Sequence, residues 1–218
     1  MIPYTPHTYQ KNAIRFMVRN ACAGLLLDPG LGKTSITLAA FEVLRMKNLA
    51  KRMLVVAPLR PCYSVWPAEV TKWREFCDLK VNILHGPHKA ERLAEGGPVD
   101  VINPEGLRWL FSQRLRKNGS DPWPWDVLVI DESTRFKHAN TQRFKVLKPY
   151  LPEFKRRYIL TGSPAPNGLL DLFGQVYLLD LGRALGRYIT HYRNSYFNQT
   201  GYGGFTWVPR AGAKEEIY

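Results

Sequence analysis

The chain has 218 residues, 45% of them hydrophobic, so it is long enough to bury one sizeable core. Lysine and arginine outnumber aspartate and glutamate by 31 to 18, which gives a net charge of +13 and attracts polyanions. No apolar run approaches the ~20 residues of a membrane span, and the first residues lack the apolar centre of a signal peptide. We therefore expect no membrane partner. The charge predicts a nucleic-acid partner; the alternative is a basic, soluble protein without one.

Apolar, β-branched runs alternate with segments of helical periodicity along the chain. The predicted strands are Gly24–Leu27, Met53–Ala57, Val81–Leu84, Val99–Asn103, Val127–Asp131 and Tyr158–Thr161. The predicted helices are Tyr9–Val18, Thr34–Met46, Tyr63–Trp73, His88–Ala94 and Thr141–Tyr150. This alternation predicts an α/β fold with a mostly parallel sheet and helices on both faces. In such sheets, ligands bind beyond the carboxyl ends of the strands.

The stretch LLLDPGLGKTSITLAA places a glycine turn between the first predicted strand and its helix. Strand, glycine turn and helix form the setting of a phosphate-binding loop, in which backbone N–H groups face the phosphates. The predicted nucleotide contacts here are Gly30, Gly32, Lys33, Thr34 and Ser35, with the Thr34 hydroxyl as a Mg²⁺ ligand. One departure stands out, because the full pattern G-x-x-x-x-G-K-[ST] has glycine where this chain has leucine at position 27.

Two acidic residues end the fifth predicted strand in VLVIDESTRF. Asp131 can hold Mg²⁺, partly through water, and Glu132 can orient and deprotonate an attacking water. A helix-capping Asp-Glu pair after a strand is the alternative. The phosphate-binding loop upstream favours the catalytic interpretation, in which Lys33, Asp131 and Glu132 share one site.

A third signal, RRYILTGSPAPNGLLDLFGQ, places Thr161 and Ser163 at the tip of the sixth predicted strand. Small hydroxyl residues at a strand tip can contact the γ-phosphate side of a nucleotide and couple it to neighbouring loops. Ordinary turn chemistry is the alternative, since Gly, Ser, Pro and Asn all favour turns.

Several weaker features point to structure more than to chemistry. The three cysteines show no C-x-x-C pairing and read as reduced thiols. His85 and His88 lack companion ligands for a metal. The segment 117–125 reads as a turn-rich loop, and the spacing of four apolar residues predicts a core-facing stripe, namely Val65, Trp66, Val70 and Trp73. The segment Arg183–Arg193 is either a cationic, aromatic nucleic-acid platform or a packing element.

Six motifs in a fixed order resemble those of superfamily-two helicases, and most closely those of compact phage and bacterial members of the Swi/Snf-like branch. They are PHTYQKNAI, LDPGLGKT, VVAPLRPCYSVWPAEVTKW, VINPEGL, DEST and LTGSPAPNGLLDLF, and the likeness runs from about residue 6 to about residue 205. The resemblance implies a RecA-like P-loop fold that binds ATP and Mg²⁺. It also implies an ATP hydrolase that couples hydrolysis to movement on DNA.

The resemblance assigns roles to individual residues. Gln10 matches the glutamine that contacts the adenine edge, although from the residue pattern alone it reads as a surface helix position. Asp131 and Glu132 match the first two positions of the DEAH-type box, whereas Ser133 and Thr134 stand where the family often has alanine and histidine. Thr161 and Ser163 match the motif that couples ATP to nucleic acid.

The resemblance also implies contacts with the sugar-phosphate backbone of double-stranded DNA. Arg60 and Ser64 lie in the position of one backbone-contacting loop, and Asn103 lies in a second. Such contacts position a protein on nucleic acid without reading its sequence.

The family works with two RecA-like lobes, and we expect this chain to be the first lobe alone. Residues 1–180 are predicted to form the ATP-binding lobe, and residues 181–218 an Arg/Tyr/Gly-rich extension leading toward a missing second lobe, supplied in cis or in trans. On this view the isolated lobe hydrolyses ATP weakly or not at all, in the cytoplasm of a bacterium or a phage-infected host. The alternative function is a non-hydrolysing, nucleotide-gated module that binds nucleic acid or a protein.

Overall fold

The structure, a computed structural model, describes residues 1–116, 123–201, 203 and 206–217. In this part of the chain the strands are β1 (Cys22–Leu26), β2 (Met53–Val56), β3 (Val81–Ile83), β4 (Val99–Ile102), β5 (Val127–Asp131), β6 (Arg156–Thr161), β7 (Phe197–Thr200) and β8 (Thr206–Pro209). The helices are α1 (Thr8–Arg19), α2 (Lys33–Met46), α3 (Leu59–Ser64), α4 (Trp66–Lys72), α5 (Lys89–Glu95), α6 (Leu107–Arg116), α7 (Gln142–Leu147), α8 (Leu172–Asp180), α9 (Ile189–Tyr196) and α10 (Ala213–Ile217).

Six strands form one parallel sheet in the order β1-β6-β5-β2-β4-β3. Successive side chains of a strand point to opposite faces, and both faces are covered here. On β5, Val127 and Val129 pack in one apolar cluster with α1, α2 and α4, whereas Leu128 and Ile130 pack in a second cluster with α6, α7 and α8. The α/β class, the parallel sheet and the helices on both faces are therefore confirmed.

The strand order sorts the predicted motifs along one edge of the sheet. The carboxyl ends of β1, β6 and β5 are neighbours, and they lead into the phosphate-binding loop, Thr161 and Asp131. The ends of β2, β4 and β3 continue the same edge, and the loops predicted to contact nucleic acid follow β2 and β4. The topology thus places the nucleotide half and the nucleic-acid half of the predicted site side by side.

The predicted helix Tyr63–Trp73 is wrong as a single element, because the structure breaks it at Val65 into α3 and α4. Pro67 sits in the first turn of α4, where its missing N–H costs no hydrogen bond, but it could not continue α3. Of the predicted core stripe, Trp66 and Val70 are buried and Trp73 packs against the core, while Val65 is exposed.

Described residues beyond position 180 pack in the sheet's second apolar cluster. Tyr192 is fully buried and its hydroxyl donates a hydrogen bond to the Leu169 carbonyl at 2.8 Å, and Phe197 is buried with it. Tyr188 remains 61% exposed. Residues 117–122 of the predicted turn-rich loop, and the end of the family likeness at residue 205, lie outside the described residues. The boundary at residue 180 stays a prediction.

Candidate nucleotide and nucleic-acid site

The loop between β1 and α2 has a backbone that requires glycine at two positions. Gly30 and Gly32 have φ values of 84° and 75°, in the left-handed region that side chains disfavour. A Cβ atom on Gly32 would also lie 2.6 Å from Gln10 Nε2 and 2.9 Å from Ser35 Oγ. Since α2 begins at Lys33, directly after this turn, its N-terminal N–H groups are presented at the loop.

Lys33 folds back across the loop from the first turn of α2. Its Nζ atom donates hydrogen bonds to the carbonyl oxygens of Leu27, at 2.7 Å, and Asp28, at 3.1 Å. The ammonium group is thus held over the concave side of the loop by two neutral acceptors. An anion placed there could compete for it, because charge-assisted hydrogen bonds are the stronger ones.

Gln10 lies against the phosphate-binding loop and is 8% exposed, so it is not the surface helix position that the residue pattern suggests. Its Nε2 donates to the Leu31 carbonyl at 3.4 Å, and its Oε1 accepts from the His7 backbone N–H at 2.9 Å. The Tyr9 hydroxyl also donates to the Leu31 carbonyl, at 3.2 Å. The start of α1 is therefore brought to the loop, as an adenine-contacting role would require.

The two residues that follow Lys33 differ in their surroundings. Ser35 is buried, and its hydroxyl donates to the Gly32 carbonyl at 2.9 Å, so the side chain braces the loop. Thr34 is half-buried in the first turn of α2. A phosphate contact by Ser35 would therefore come from its backbone, whereas the predicted Mg²⁺ contact by Thr34 would use its side chain.

Asp131 ends β5 and is held from two sides. Its Oδ2 accepts from the Trp66 indole N–H at 3.2 Å, and its Oδ1 accepts from the Glu132 backbone N–H at 3.0 Å. Burial raises the pKa of the Asp131 carboxyl; the Trp66 hydrogen bond and the charge of Lys33 oppose this. A half-buried carboxylate beside a lysine suits a divalent cation, which would stabilise its ionised form.

Glu132 is exposed and has a left-handed backbone, with φ 51° and ψ 57°. This conformation is uncommon for a residue with a side chain and costs about 1–2 kcal/mol. The short 3₁₀ helix Ser133–Phe136 follows at once, and the Arg135 N–H donates to the Glu132 carbonyl at 3.0 Å. The strained turn orients the Glu132 side chain away from the core, at the carboxyl edge of the sheet.

The tip of β6 touches the phosphate-binding loop. The Leu27 N–H donates to the Thr161 carbonyl at 3.2 Å, and a Cβ atom on Gly162 would lie 3.0 Å from Pro29 Cδ. Thr161 is buried, and its hydroxyl accepts from the Ser163 N–H at 3.2 Å. The structure thus brings Thr161 and Ser163 next to the loop, with the Thr161 hydroxyl engaged in the local turn.

The residues predicted to contact nucleic acid are unequally accessible. Arg60 is exposed on α3, and the Ser64 hydroxyl, also exposed, donates to the Arg60 carbonyl at 2.9 Å. Asn103 is only 7% exposed, and its Nδ2 donates to the exposed Glu105 carboxylate at 2.8 Å. Any contact made by the Asn103 loop would therefore fall to its neighbours or its backbone, with Asn103 shaping the turn.

Two residues of the site escaped the sequence analysis. Trp66 is predicted to be a core residue, and it is buried. Its indole N–H also donates the hydrogen bond that holds Asp131, and a buried indole N–H usually has such a partner. Gln175 is the one amide in the apolar run LFGQVYLLD. A polar side chain in such a run is expected to have a hydrogen-bond partner, because buried polar groups are paired. It accepts a hydrogen bond from the Ser133 hydroxyl at 2.7 Å.

The described residues contain no group of three or more His, Cys, Asp or Glu that could by itself hold a metal ion. His85 instead pairs with the Tyr63 hydroxyl at 2.8 Å and His88 with the Glu91 carboxylate at 2.9 Å. None of the helices in this described part of the chain combines the length and the hydropathy of a membrane span.

A family model described as the SNF2-related domain matches residues 9–193. Protein p41 of Acyrthosiphon pisum secondary endosymbiont phage 1 is 32% identical over 216 residues. The alignment covers 95% of this chain and 46% of p41. The yeast ISWI chromatin-remodeling complex ATPase ISW1 is 28% identical over 178 residues, covering 76% of this chain and 15% of that protein.

Two solved structures share the fold. The Sulfolobus solfataricus SWI2/SNF2 ATPase core in complex with dsDNA superposes with a TM-score of 0.72 and 25% identity, covering 89% of this chain and 39% of the core. The ATPase core domain from the same organism gives a TM-score of 0.67 and 27% identity, covering 90% of this chain and 39% of that chain. The chain thus spans less than half the length of p41 and of either core.

Proposed function

From the premise that this chain belongs to the SNF2-related domain family, we propose that it is the first lobe of an ATP-driven motor that moves on double-stranded DNA. The observation that carries the proposal is the meeting of Lys33, Asp131 and Thr161 at the adjacent ends of β1, β5 and β6. The motor requires a second RecA-like lobe, in cis or in trans, for rapid turnover. A position in the cytoplasm of a bacterium or a phage-infected host is part of the same proposal.

The residues present fit a magnesium nucleotide. The left-handed backbone at Gly30 and Gly32 shapes the loop, and α2 presents its N-terminal N–H groups there. Lys33 and the Asp131 carboxylate provide opposite charges for phosphate and cation. When bound, Mg²⁺ supplies positive charge to the phosphate oxygens. Thr34 and Asp131 would hold it, and Lys33 would contact the phosphates.

The remaining site residues divide the other tasks. Gln10 contacts the adenine edge from the start of α1. Glu132 orients the attacking water and accepts its proton. An exposed acid at this edge favours a hydrolase over the alternative, a nucleotide-gated binding module, because a pure binder has no use for a base. Thr161 and Ser163 link the nucleotide to the neighbouring loops.

Double-stranded DNA is the proposed track because the exposed Arg60 and Ser64 lie on the same edge as the nucleotide site. The net charge of +13 favours association with a polyanion. The archaeal core in complex with dsDNA supports the same assignment. We expect contacts to the sugar-phosphate backbone and little sequence preference.

Calorimetric titration with MgATP tests the nucleotide site. Lys33→Ala should remove most of the measurable affinity, whereas Glu132→Gln should keep it, since the glutamate acts on water and not on the nucleotide. Lys47→Ala, which removes an exposed lysine at the other end of α2, is the matched control and should bind like the wild type. Unchanged affinity in the Lys33 variant would remove the assignment.

A further inference from the structure

A buried amide on α8 joins the loops that follow β5 and β6. Gln175 is 1% exposed, and its Oε1 accepts the hydrogen bond from the fully buried Ser133 hydroxyl at 2.7 Å. Its Nε2 donates to the Pro164 carbonyl at 2.5 Å and to the Asp171 carbonyl at 2.8 Å. Ser133 directly follows Glu132, and Pro164 directly follows Ser163, so one side chain bridges the predicted catalytic loop and the predicted coupling loop.

Asp171, at the start of α8, makes a second connection between the same two loops. Asp171 is 4% exposed; its carboxylate accepts from Lys137 Nζ at 3.1 Å and from the Asn167 N–H at 3.0 Å. Lys137 belongs to the loop after β5, and Asn167 to the loop after β6. Between the two bridges, a Cβ atom on Gly174 would overlap the backbone carbonyls of residues 136 and 137, so α8 lies directly on the first loop.

The bridged loop contains the strained residue of the site. A left-handed backbone at a residue with a side chain persists only where its surroundings fix it. Glu132 is fixed on one side by the Asp131 carboxylate, which accepts its N–H. On the other side it is fixed by Ser133, whose hydroxyl is anchored to Gln175.

The second loop extends the connection to the phosphate-binding loop. Gly162 packs against Pro29, and the Leu27 N–H is bonded to the Thr161 carbonyl. A continuous line of contacts therefore runs from the phosphate-binding loop through the tip of β6 and Gln175 to Ser133, next to Glu132. It uses the serine that stands where the resembling family often has alanine, a residue that could not make this bond.

We propose that Gln175 is a positioning residue that holds Glu132 in its strained conformation and makes the loops after β5 and β6 move as one unit. The assignment of Glu132 as the base rests on the proposed function, but the mechanical linkage does not. A change of phosphate state at one loop is thereby transmitted to the other without a histidine after Glu132.

Hydrogen exchange of the unliganded chain tests the linkage directly. Gln175→Leu keeps the size and helix propensity of the side chain but removes all three hydrogen bonds. We expect the amides of residues 132–137 and the four non-proline amides of residues 163–168 to exchange about tenfold faster or more, while those of β2 and β4 are unchanged. Gln142→Leu, at an exposed position of α7, is the matched control and should leave both loops unchanged.

Two further variants each remove one side of the Gln175 bridge. Ser133→Ala should release residues 132–137 and leave residues 163–168 protected, since the amide still donates to Pro164. Gln175→Glu retains an acceptor for the Ser133 hydroxyl but loses its donor, so it should release mainly residues 163–168. No change in Gln175→Leu, or an increase spread evenly over the whole sheet, would overturn the proposal.

The functional readout is the factor by which duplex DNA changes the affinity for a non-hydrolysable MgATP analogue. In Gln175→Leu we expect this factor to fall toward one, while either ligand alone binds within about threefold of wild type. A wild-type chain that binds no nucleotide would refute the proposed function, and the exchange data would still decide the linkage. A linkage factor unchanged in Gln175→Leu would refute the transmission role.

Discussion

Individual residues at the proposed site have energetic costs that a bound ligand would offset. Glu132 has a left-handed backbone, Asp131 is a half-buried acid, and the phosphate-binding loop depends on glycine at two positions. Strain and buried charge gather where a site is prepared for its ligand. Each of these residues has a neighbour that holds it in place. Substituting the neighbour tests this structural role without removing the proposed ligand-binding group itself.

The two loop glycines should differ in how well they tolerate alanine. Both need a left-handed backbone, which costs a side chain about 1–2 kcal/mol. Only at Gly32 would the new Cβ also collide, with Gln10 and Ser35, because nothing lies within 4 Å at Gly30. We expect Gly32→Ala to weaken MgATP binding at least about tenfold more than Gly30→Ala. Equal losses in fluorescence titrations of the two variants would contradict this geometry.

Trp66 should support cation binding through Asp131. Substitutions of outer-shell partners typically cost about 10–100-fold in metal affinity. Trp66→Phe should therefore raise the Mg²⁺ concentration needed for half-maximal nucleotide binding about tenfold. Trp125→Phe is the matched control: Trp125 is equally buried, and its indole donates to the buried Asp100 carboxylate at 2.7 Å. Both variants lose packing, but only Trp66→Phe also loses a hydrogen bond to Asp131, so only it should change the Mg²⁺ titration. The same change in both variants would indicate general destabilisation.

At the scale of elements, the sequence predicted the sheet better than the helices on its second face. All six strands were placed within about two residues, because strands covered on both sides are continuous apolar runs. Helix α8 was missed because LFGQVYLLD is apolar nearly all round, and a helix buried on every side shows no 3.6-residue period. The proposed nucleotide residues were predicted from local motifs, whereas the roles of Trp66 and Gln175 depend on contacts between residues 65 and 42 positions apart.

Asp126 ties three elements together at the opposite edge of the sheet. Its carboxylate accepts from the Lys51 N–H at 2.7 Å, before β2, and from Lys155 Nζ at 2.6 Å, before β6. Burial alone would raise its pKa, but these partners outweigh burial and lower it. Its stabilisation is therefore complete above the unfolded pKa of about 3.9 and is lost as pH falls through the lower folded value.

We accordingly expect Asp126→Asn to lower the free energy of unfolding by about 1–2 kcal/mol at pH 7. The difference from wild type should stay constant from pH 8 to about pH 5 and shrink below about pH 4. Urea melts of both proteins across this range give the comparison. A difference that grows in acid would show that the carboxylate is not the stabilising form.

For the whole molecule, the charge of +13 and the shared edge of the sheet predict weak, sequence-tolerant binding to DNA. If roughly four phosphates are neutralised, log K should fall with log salt at a slope near −3.6 for duplex DNA. Arg60→Gln should reduce that slope by about 0.9, whereas Arg19→Gln, at the end of α1 away from this edge, should leave it unchanged. An affinity independent of salt, or equal effects of the two variants, would count against the interface.

ATP turnover by the 218 residues alone should be slow. The 218 residues include the proposed phosphate lysine, Mg²⁺ ligands and base, and the match to the archaeal ATPase core covers 39% of that core. Catalysis requires groups that stabilise the transition state more than the ground state. An arginine supplied across a phosphate site is worth roughly 10³–10⁵ in rate. We therefore expect this chain alone to bind MgATP with phosphate release near background and little stimulation by DNA.

Supplying a second RecA-like lobe, fused after residue 218 or as a separate chain, should restore DNA-stimulated phosphate release. That activity should disappear in Glu132→Gln, which keeps the binding site but removes the base. Gln175→Leu should lower the DNA stimulation more than the basal rate, because it loosens the connection between the loops and not the phosphate contacts. Robust, Glu132-dependent and DNA-stimulated turnover by the 218 residues alone would refute the half-motor model, and would point to self-association supplying the missing positive charge.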